Sequence, residues 1–426
     1  MKTINKRLIA CAVTAALTIP MTAMATNGYF AHGYGMKAKG MGGAGVAYAQ
    51  DAMAAATNPA GITAVNDRID FGVDLFIPDR SATVYTVARD GNETANFFIP
   101  EFGYSKKIDD SSAWAVVVYG NGGMNTDYKT GIYSTSAQPG ALNDQTPTGI
   151  NLEQLFIAPT YAKKLNETHS IGVSLNLVYQ TFEANGLSNF IGFKEDPSTG
   201  KAGLTGQGVD SSTGIGLKLG WTGQVSDSLT LGFTYQPETK MSKFSSYNNL
   251  FANDGEFNIP STYAFGLAFK ASPKMNIAFD IQQINYSDIA AISNKDCGFT
   301  VAHPGTCDLG DAGGPGFGWD DVTAYKLGVD YKVSDKLVVR GGYNYGEQPI
   351  SSTETAFNVL APGVVEAHYT LGATWTLANM SELTVSYMYA PEVEVIGSSP
   401  AGFSDAGHGD IAMSQTSLGV AYGWKF

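Results

Sequence analysis

The sequence predicts an all-β chain: a 14-stranded antiparallel transmembrane β-barrel, plugged by an N-terminal hatch with short helical segments. Three observations carry this. Segments of about ten residues with apolar side chains at every second position recur from about Asn66 to the C-terminus. The connections between them alternate between tight turns and long loops, as in outer-membrane barrels. Only 15% of the residues are charged, against roughly 25% in soluble proteins, while glycine contributes 50 residues and aromatics 12%. The longest apolar run beyond the N-terminus is Ala113–Tyr119, far short of the ~20 residues a spanning helix needs, so any crossing uses strands.

Taken in chain order, residues 1–25 read as a secretory signal. Lys2, Lys6 and Arg7 precede the apolar stretch Leu8–Ile19, and Ala23-Met24-Ala25 ends in small residues, which places the cut before Thr26. Residues 26–66 follow as the hatch, with glycines at 28, 33, 35, 40, 42, 43 and 45, a helix-prone run Val46–Ala56, and Asn58-Pro59, where proline ends the helix. Residues 67–426 form the barrel. In Ile171, Val173, Leu175, Leu177 and Tyr179 the apolar residues alternate with Gly172, Ser174, Asn176 and Gln180, and the other strands follow the same parity. Tight turns fall at 109–112, 166–168, 226–228, 272–274, 334–336 and 379–381. Seven longer segments separate them, at about 79–95, 122–150, 185–211, 238–258, 286–320, 346–363 and 392–412. This count yields fourteen strands with both ends on the short-turn side. The last of them presents Leu418, Val420, Tyr422, Trp424 and Phe426 on one face.

Orientation follows from the polar set. Asp70, Asp74, Lys218, Asp280, Lys326, Asp330, Arg340, Glu366 and His368 fall on the face opposite the apolar one. That is too many charges for a dry core, so lipid lies outside and the polar face lines a lumen. A fourteen-stranded lumen is too wide for wall side chains to fill, and the hatch is the segment available to close it. The net charge of -13, without lysine or arginine clusters, excludes nucleic acid as a partner. Gly40-Met41-Gly42-Gly43-Ala44-Gly45 matches GxGxxG formally, but no strand precedes it, so it reads as compact plug backbone. His368, with Glu366 two residues away, lacks an evident serine partner for hydrolysis. The expectation is a protein that is not an enzyme and uses no cofactor.

Asn27-Gly28-Tyr29-Phe30, the glycine-rich run to Gly45, Ala47-Tyr48-Ala49 with Asp51-Ala52, and Asn58-Pro59-Ala60-Gly61 resemble the hatch of the FadL/TodX family of bacterial outer-membrane transporters of long-chain fatty acids and aromatic hydrocarbons. The hatch resemblance rests most on Asn58, Pro59 and Ala60, and it extends more loosely through the barrel to Phe426. It implies capture of an apolar substrate on extracellular loops, passage to a pocket above the hatch, and lateral release through a gap in the wall.

Candidate sites follow from that frame. Phe190 and Phe193 in one loop, and Phe244, Tyr247, Leu250 and Phe251 in another, form apolar clusters that bind substrate or pack the loops together; Phe30 joins them from the hatch. Gly120, Asn121, Gly122 and Gly123 follow Trp114–Tyr119 in the third strand, and glycines inside a strand mark a bulge or bend that would open a lateral gate. Cys297 and Cys307 read as a loop disulfide, the rival being a metal site with His303. The expected partners are a hydrophobic small molecule, outer-membrane lipid and lipopolysaccharide, and the barrel assembly machinery through the Phe426 strand, with the chain a monomer. A general porin and a lipid hydrolase are the alternatives.

Overall fold

The computed structural model describes residues 26–84, 87–133, 145–194, 197–295, 307–398 and 409–426. Among them the strands run β1 (Arg68–Val84), β2 (Val87–Asp90), β3 (Phe97–Lys107), β4 (Ser112–Asp127), β5 (Gly149–Lys164), β6 (His169–Asn185), β7 (Asp210–Gln224), β8 (Leu229–Gln236), β9 (Thr262–Ser272), β10 (Met275–Ile284), β11 (Val322–Ser334), β12 (Leu337–Gly346), β13 (Ala367–Thr376), β14 (Glu382–Val395) and β15 (Asp410–Lys425). Each pairs antiparallel with its neighbour, and β15 returns to β1 in register from Arg68↔Lys425 to Thr83↔Asp410. The sheet is therefore closed. Strand β2 pairs only with the upper end of β1, from Ser81↔Asp90 to Val84↔Val87, which leaves the fourteen wall strands that the alternation predicts. Of the stretch 79–95, read as loop from the sequence, residues 79–84 continue β1 and residues 87–90 pair back on it as β2.

Exposure along β6 shows which way the barrel faces. Ile171, Val173, Leu175, Leu177 and Tyr179 are 37–47% exposed, whereas Ser174, Asn176 and Gln180 are fully buried. A water-soluble barrel has the reverse pattern; here the apolar face meets hydrocarbon and the polar face meets the interior. No helix of the described residues is long and apolar enough to cross a membrane.

Local chemistry closes the tight turns. The Asp109 carboxylate accepts from the backbone N–H of Ser111 and Ser112, both at 2.8 Å, and Asn166 does the same for Thr168 and His169 at 2.9 and 2.8 Å. Such side-chain caps replace the missing ladder partners of the turn. Trp114, Trp221, Trp375 and Trp424 sit within a few residues of the strand ends at this rim, an interfacial aromatic girdle.

Residues 26–66 lie inside the barrel. Two short helices, α1 (Met36–Lys39) and α2 (Ala54–Thr57), and a 3-10 turn over Pro59–Ala64 are joined by irregular chain. The helix expected over Val46–Ala56 forms only at its C-terminal end. The rest is irregular chain held to the wall, with Asp280 on β10 accepting from the N–H groups of Gly45 and Val46 at 2.7 and 3.0 Å.

Candidate functional site

The charges read as lumen-facing converge on the N-terminal segment. Glu101 on β3 accepts from the first N–H groups of α1, Gly35 at 3.0 Å and Met36 at 3.1 Å. Lys39 pairs with Asp74 at 2.7 Å, the Tyr48 hydroxyl donates to Asp330 at 2.6 Å, and Lys326 donates to the His32 carbonyl at 2.9 Å. Arg340 donates to Gln50 at 3.0 Å and Lys218 to the Ala56 carbonyl at 2.5 Å. At the base, Glu382 on β14 binds Lys37 at 2.7 Å, Arg68 of β1 at 3.0 Å and Lys425 of β15, while Asp70 holds Arg68 and the Ala52 N–H. Buried charges are tolerable when so paired. Burial, then the Asp70 charge, raises the Asp51 carboxyl above its ordinary range.

Asn58 makes three bonds, two within the plug and one to the wall. Its Oδ1 accepts from Ala60 N at 3.1 Å and caps the 3-10 turn, and its Nδ2 donates to the carbonyls of Val46 at 2.7 Å and Trp221 of β7 at 3.0 Å. Pro59 occupies the first position of that turn, and Pro59 and Ala60 pack against β6 and β7. The chamber left between plug, strands β7–β11 and Asn121 of β4 holds about 30 Å³, room for a water or two.

The wall is split on the opposite side. Strands β3 and β4 pair from Lys107↔Ala113 up to Phe102↔Val118 and no further. Above that level β3 stays with β1, and Pro100, lacking an N–H, lies where β3 has no partner on β4. Strand β4 leaves with β5 and bulges between Gly120 and Gly122. The vacated edge is filled from within: Phe30 bridges to Gly122, Ala31 N donates to Asn121 O and Gly123 N donates to Tyr29 O, each at 3.0 Å. A side chain at Gly122 would run into the Tyr29 carbonyl, so the close approach requires glycine. The Asn121 side chain accepts from the Tyr34 hydroxyl at 2.9 Å and donates to Gln154 at 3.1 Å. Higher up the wall closes again through Asp127 N to Gly91 O at 3.0 Å and the Arg80 guanidinium, which donates to Asn125 O at 2.8 Å and Asn92 Oδ1 at 3.1 Å. The result is a bounded window with residues 29–31 as its filling.

An aromatic column stands over the window. Tyr29 lies 5.3 Å from Tyr286, and Tyr286 lies 6.0 Å from Phe30 and 5.2 Å from Trp319, ring to ring. The Tyr286 hydroxyl accepts from Tyr29 N and donates to Asn27 O. Phe30, Phe190, Phe244, Tyr247, Leu250 and Phe251 are all buried in the same apolar cluster, with Phe193 packed at its edge. Among the described residues they are packed together as a roof and are not an exposed capture surface. Sequence reasoning named Tyr29 only as part of the hatch motif and passed over Tyr286, Trp319 and Arg80. A tryptophan outside the girdle was the available signal for Trp319; a buried loop tyrosine has none. Cys297 and His303 lie outside the described residues; Cys307 is half-buried at the edge of that gap.

Residues 18–399 match the family described as outer membrane protein transport protein (OMPP1/FadL/TodX). The chain belongs to this family. As an OMPP1/FadL/TodX protein it is a bacterial outer-membrane transport protein. Its fold is shared with the Pseudomonas putida toluene transporter TodX, at 17% identity, TM-score 0.67, covering 93% of this chain and 99% of that one. The Ralstonia pickettii toluene transporter TbuX matches at 17% identity and TM-score 0.63, with 93% and 99% covered. A Pseudomonas aeruginosa FadL homologue matches at 15% and 0.65, with 94% and 100% covered. No curated protein matches the chain significantly.

Proposed function

We propose that the chain is a passive uptake channel for hydrophobic small molecules, long-chain fatty acids or hydrocarbons, released sideways through the window between β3 and β4. The observation that carries this reading is the window itself: the ladder ends at Phe102↔Val118, the bulge follows at Gly120, and residues 29–31, not a wall strand, fill the space. An apolar solute gains nothing by crossing the charged contact between plug and wall. A sideways path keeps it against Phe30 and the aromatic column and delivers it to hydrocarbon without passing water. The toluene channels of the same fold are consistent with an aromatic hydrocarbon as one such substrate. The filled lumen weighs against a general porin. In this reading residues 1–25 are the export signal, 26–66 the hatch, the loop aromatics a roof that parts to admit substrate, and the Cys297–Cys307 pair a loop cross-link. The protein works as a monomer among outer-membrane lipid and lipopolysaccharide, inserted by the barrel assembly machinery through its Phe426 strand.

Deleting Asn121 removes the bulged residue and brings β4 into continuous register with β5. The expected result is a folded barrel, judged by its heat-dependent gel mobility, with uptake of radiolabelled toluene and oleate at the level of a strain lacking the protein. Undiminished uptake of both by a folded variant would overturn lateral release here.

A further inference from the structure

The outer face of the barrel carries almost no charge, and its few cations are not scattered. Among the described barrel strands, Lys106 on β3 and Lys163 on β5 are the only lysine or arginine residues whose register is that of the lipid-facing side chains; the rest share the parity of the lumen set. Lys106 stands opposite Trp114, Trp114 opposite Tyr161, and Lys163 opposite the lipid-facing Ile171. Both lysines are exposed. They flank one strand, so their backbones are roughly 12 Å apart by sheet spacing and a two-residue offset, within reach of converging side chains. Between and beside them lies an aromatic floor: Tyr104 is 5.0 Å from Trp114 and 6.1 Å from Phe426, and Trp114, Tyr161 and Phe426 remain 38–52% exposed.

This patch is at the short-turn rim, which in an outer-membrane barrel is periplasmic, at the headgroup level of the inner leaflet. It lies directly beneath the window, whose sill is Phe102↔Val118. We propose that it binds an anionic glycerophospholipid of the inner leaflet, the headgroup phosphate held between Lys106 and Lys163 and the acyl chains rising over Trp114 toward the window. The Asp67 carboxylate precedes β1 beside Lys106 and accepts from the Lys107 N–H at 2.7 Å; the two ammonium groups outnumber it, which favours negative headgroups over zwitterionic ones. Aromatic rings at the interface seat the glycerol and upper chain region.

The test uses the full-length protein in neutral detergent, titrated with phosphatidylglycerol or phosphatidylcholine of matched chains and read by native mass spectrometry. With each lysine worth about tenfold or less near an anionic headgroup, the expected preference for phosphatidylglycerol is roughly 30-fold. It should fall to near parity in Lys106→Gln/Lys163→Gln and persist in Lys332→Gln/Lys336→Gln, which alters the same rim elsewhere. Equal retention of the two lipids by the unaltered protein would overturn the proposal. So would a preference that survives in the first variant, or one that the second variant abolishes equally.

Discussion

His32 of the plug and His368 of β13 stack inside the barrel, ring centroids 6.0 Å apart and planes 12° from parallel. Both are fully buried, and no ring nitrogen of either meets hydrogen-bond geometry with a described group, although the Lys39 carbonyl lies beside the His32 ring. Burial, then His368, Lys39 and Lys326, holds the His32 imidazole well below its ordinary range, so it is neutral where docked. Once undocked it would titrate near 6.5. The docked state thus binds fewer protons, its stability is complete above that value, and it is lost as the pH falls below it. Bilayer conductance of the unaltered protein should rise on acidification below about pH 6, and His32→Gln should flatten that rise; an identical profile in the variant would assign the effect to other groups. His368 was legible as a lumen residue because a strand has period two. His32 was not, since irregular chain has no parity and its partner lies on a distant strand.

The 3-10 turn over Pro59–Ala64 depends on Asn58, which both caps it and ties it to the Trp221 carbonyl. Asn58→Ala leaves the Val46 and Trp221 carbonyls and the Ala60 N–H without that partner, a cost of about 1–3 kcal/mol. The loss falls on plug docking, so hydrogen exchange across residues 46–65 should accelerate while the strand amides stay protected. Uniform protection in the variant would show that the cap is dispensable. Among the elements, the six tight turns and the fourteen wall strands were readable because turn chemistry and alternation are local. The glycines at 120, 122 and 123 announced an irregular strand for the same reason. What filled the edge beside them was not readable: Tyr29-Phe30-Ala31 has no pattern of its own and becomes strand-like only against β4. The run Val46–Ala56 forms helix only at its C-terminal end because contacts to distant strands, which no local pattern announces, hold the rest as irregular chain.

At the scale of the whole molecule, plug and wall are joined by charge and backbone contact more than by apolar packing. Removing residues 26–65 should therefore leave a barrel that still assembles and turn a nearly silent protein in planar bilayers into a conducting pore. Conductance no higher than that of the intact chain would mean that the loops, not the plug, close it. Fourteen strands and a polar interior could be counted from the sequence, whereas the packed aromatic roof could not, because burial of Phe244 or Tyr247 depends on how seven loops meet. The Glu382 cluster adds a consequence for assembly. Arg68 is the first residue of β1 and Lys425 the last of β15, and they face each other across the seam. The carboxylate holds Lys425 within the β14–β15 pair, gains Arg68 only when the first and last strands meet, and gains Lys37 only when the plug arrives. An open sheet lacks the Arg68 contact, and an unplugged barrel lacks the Lys37 contact, at the same carboxylate. Ring closure and occupation of the ring are thus coupled through one side chain, and a protein caught halfway is marked by a Glu382 carboxylate short of a partner at the periplasmic mouth.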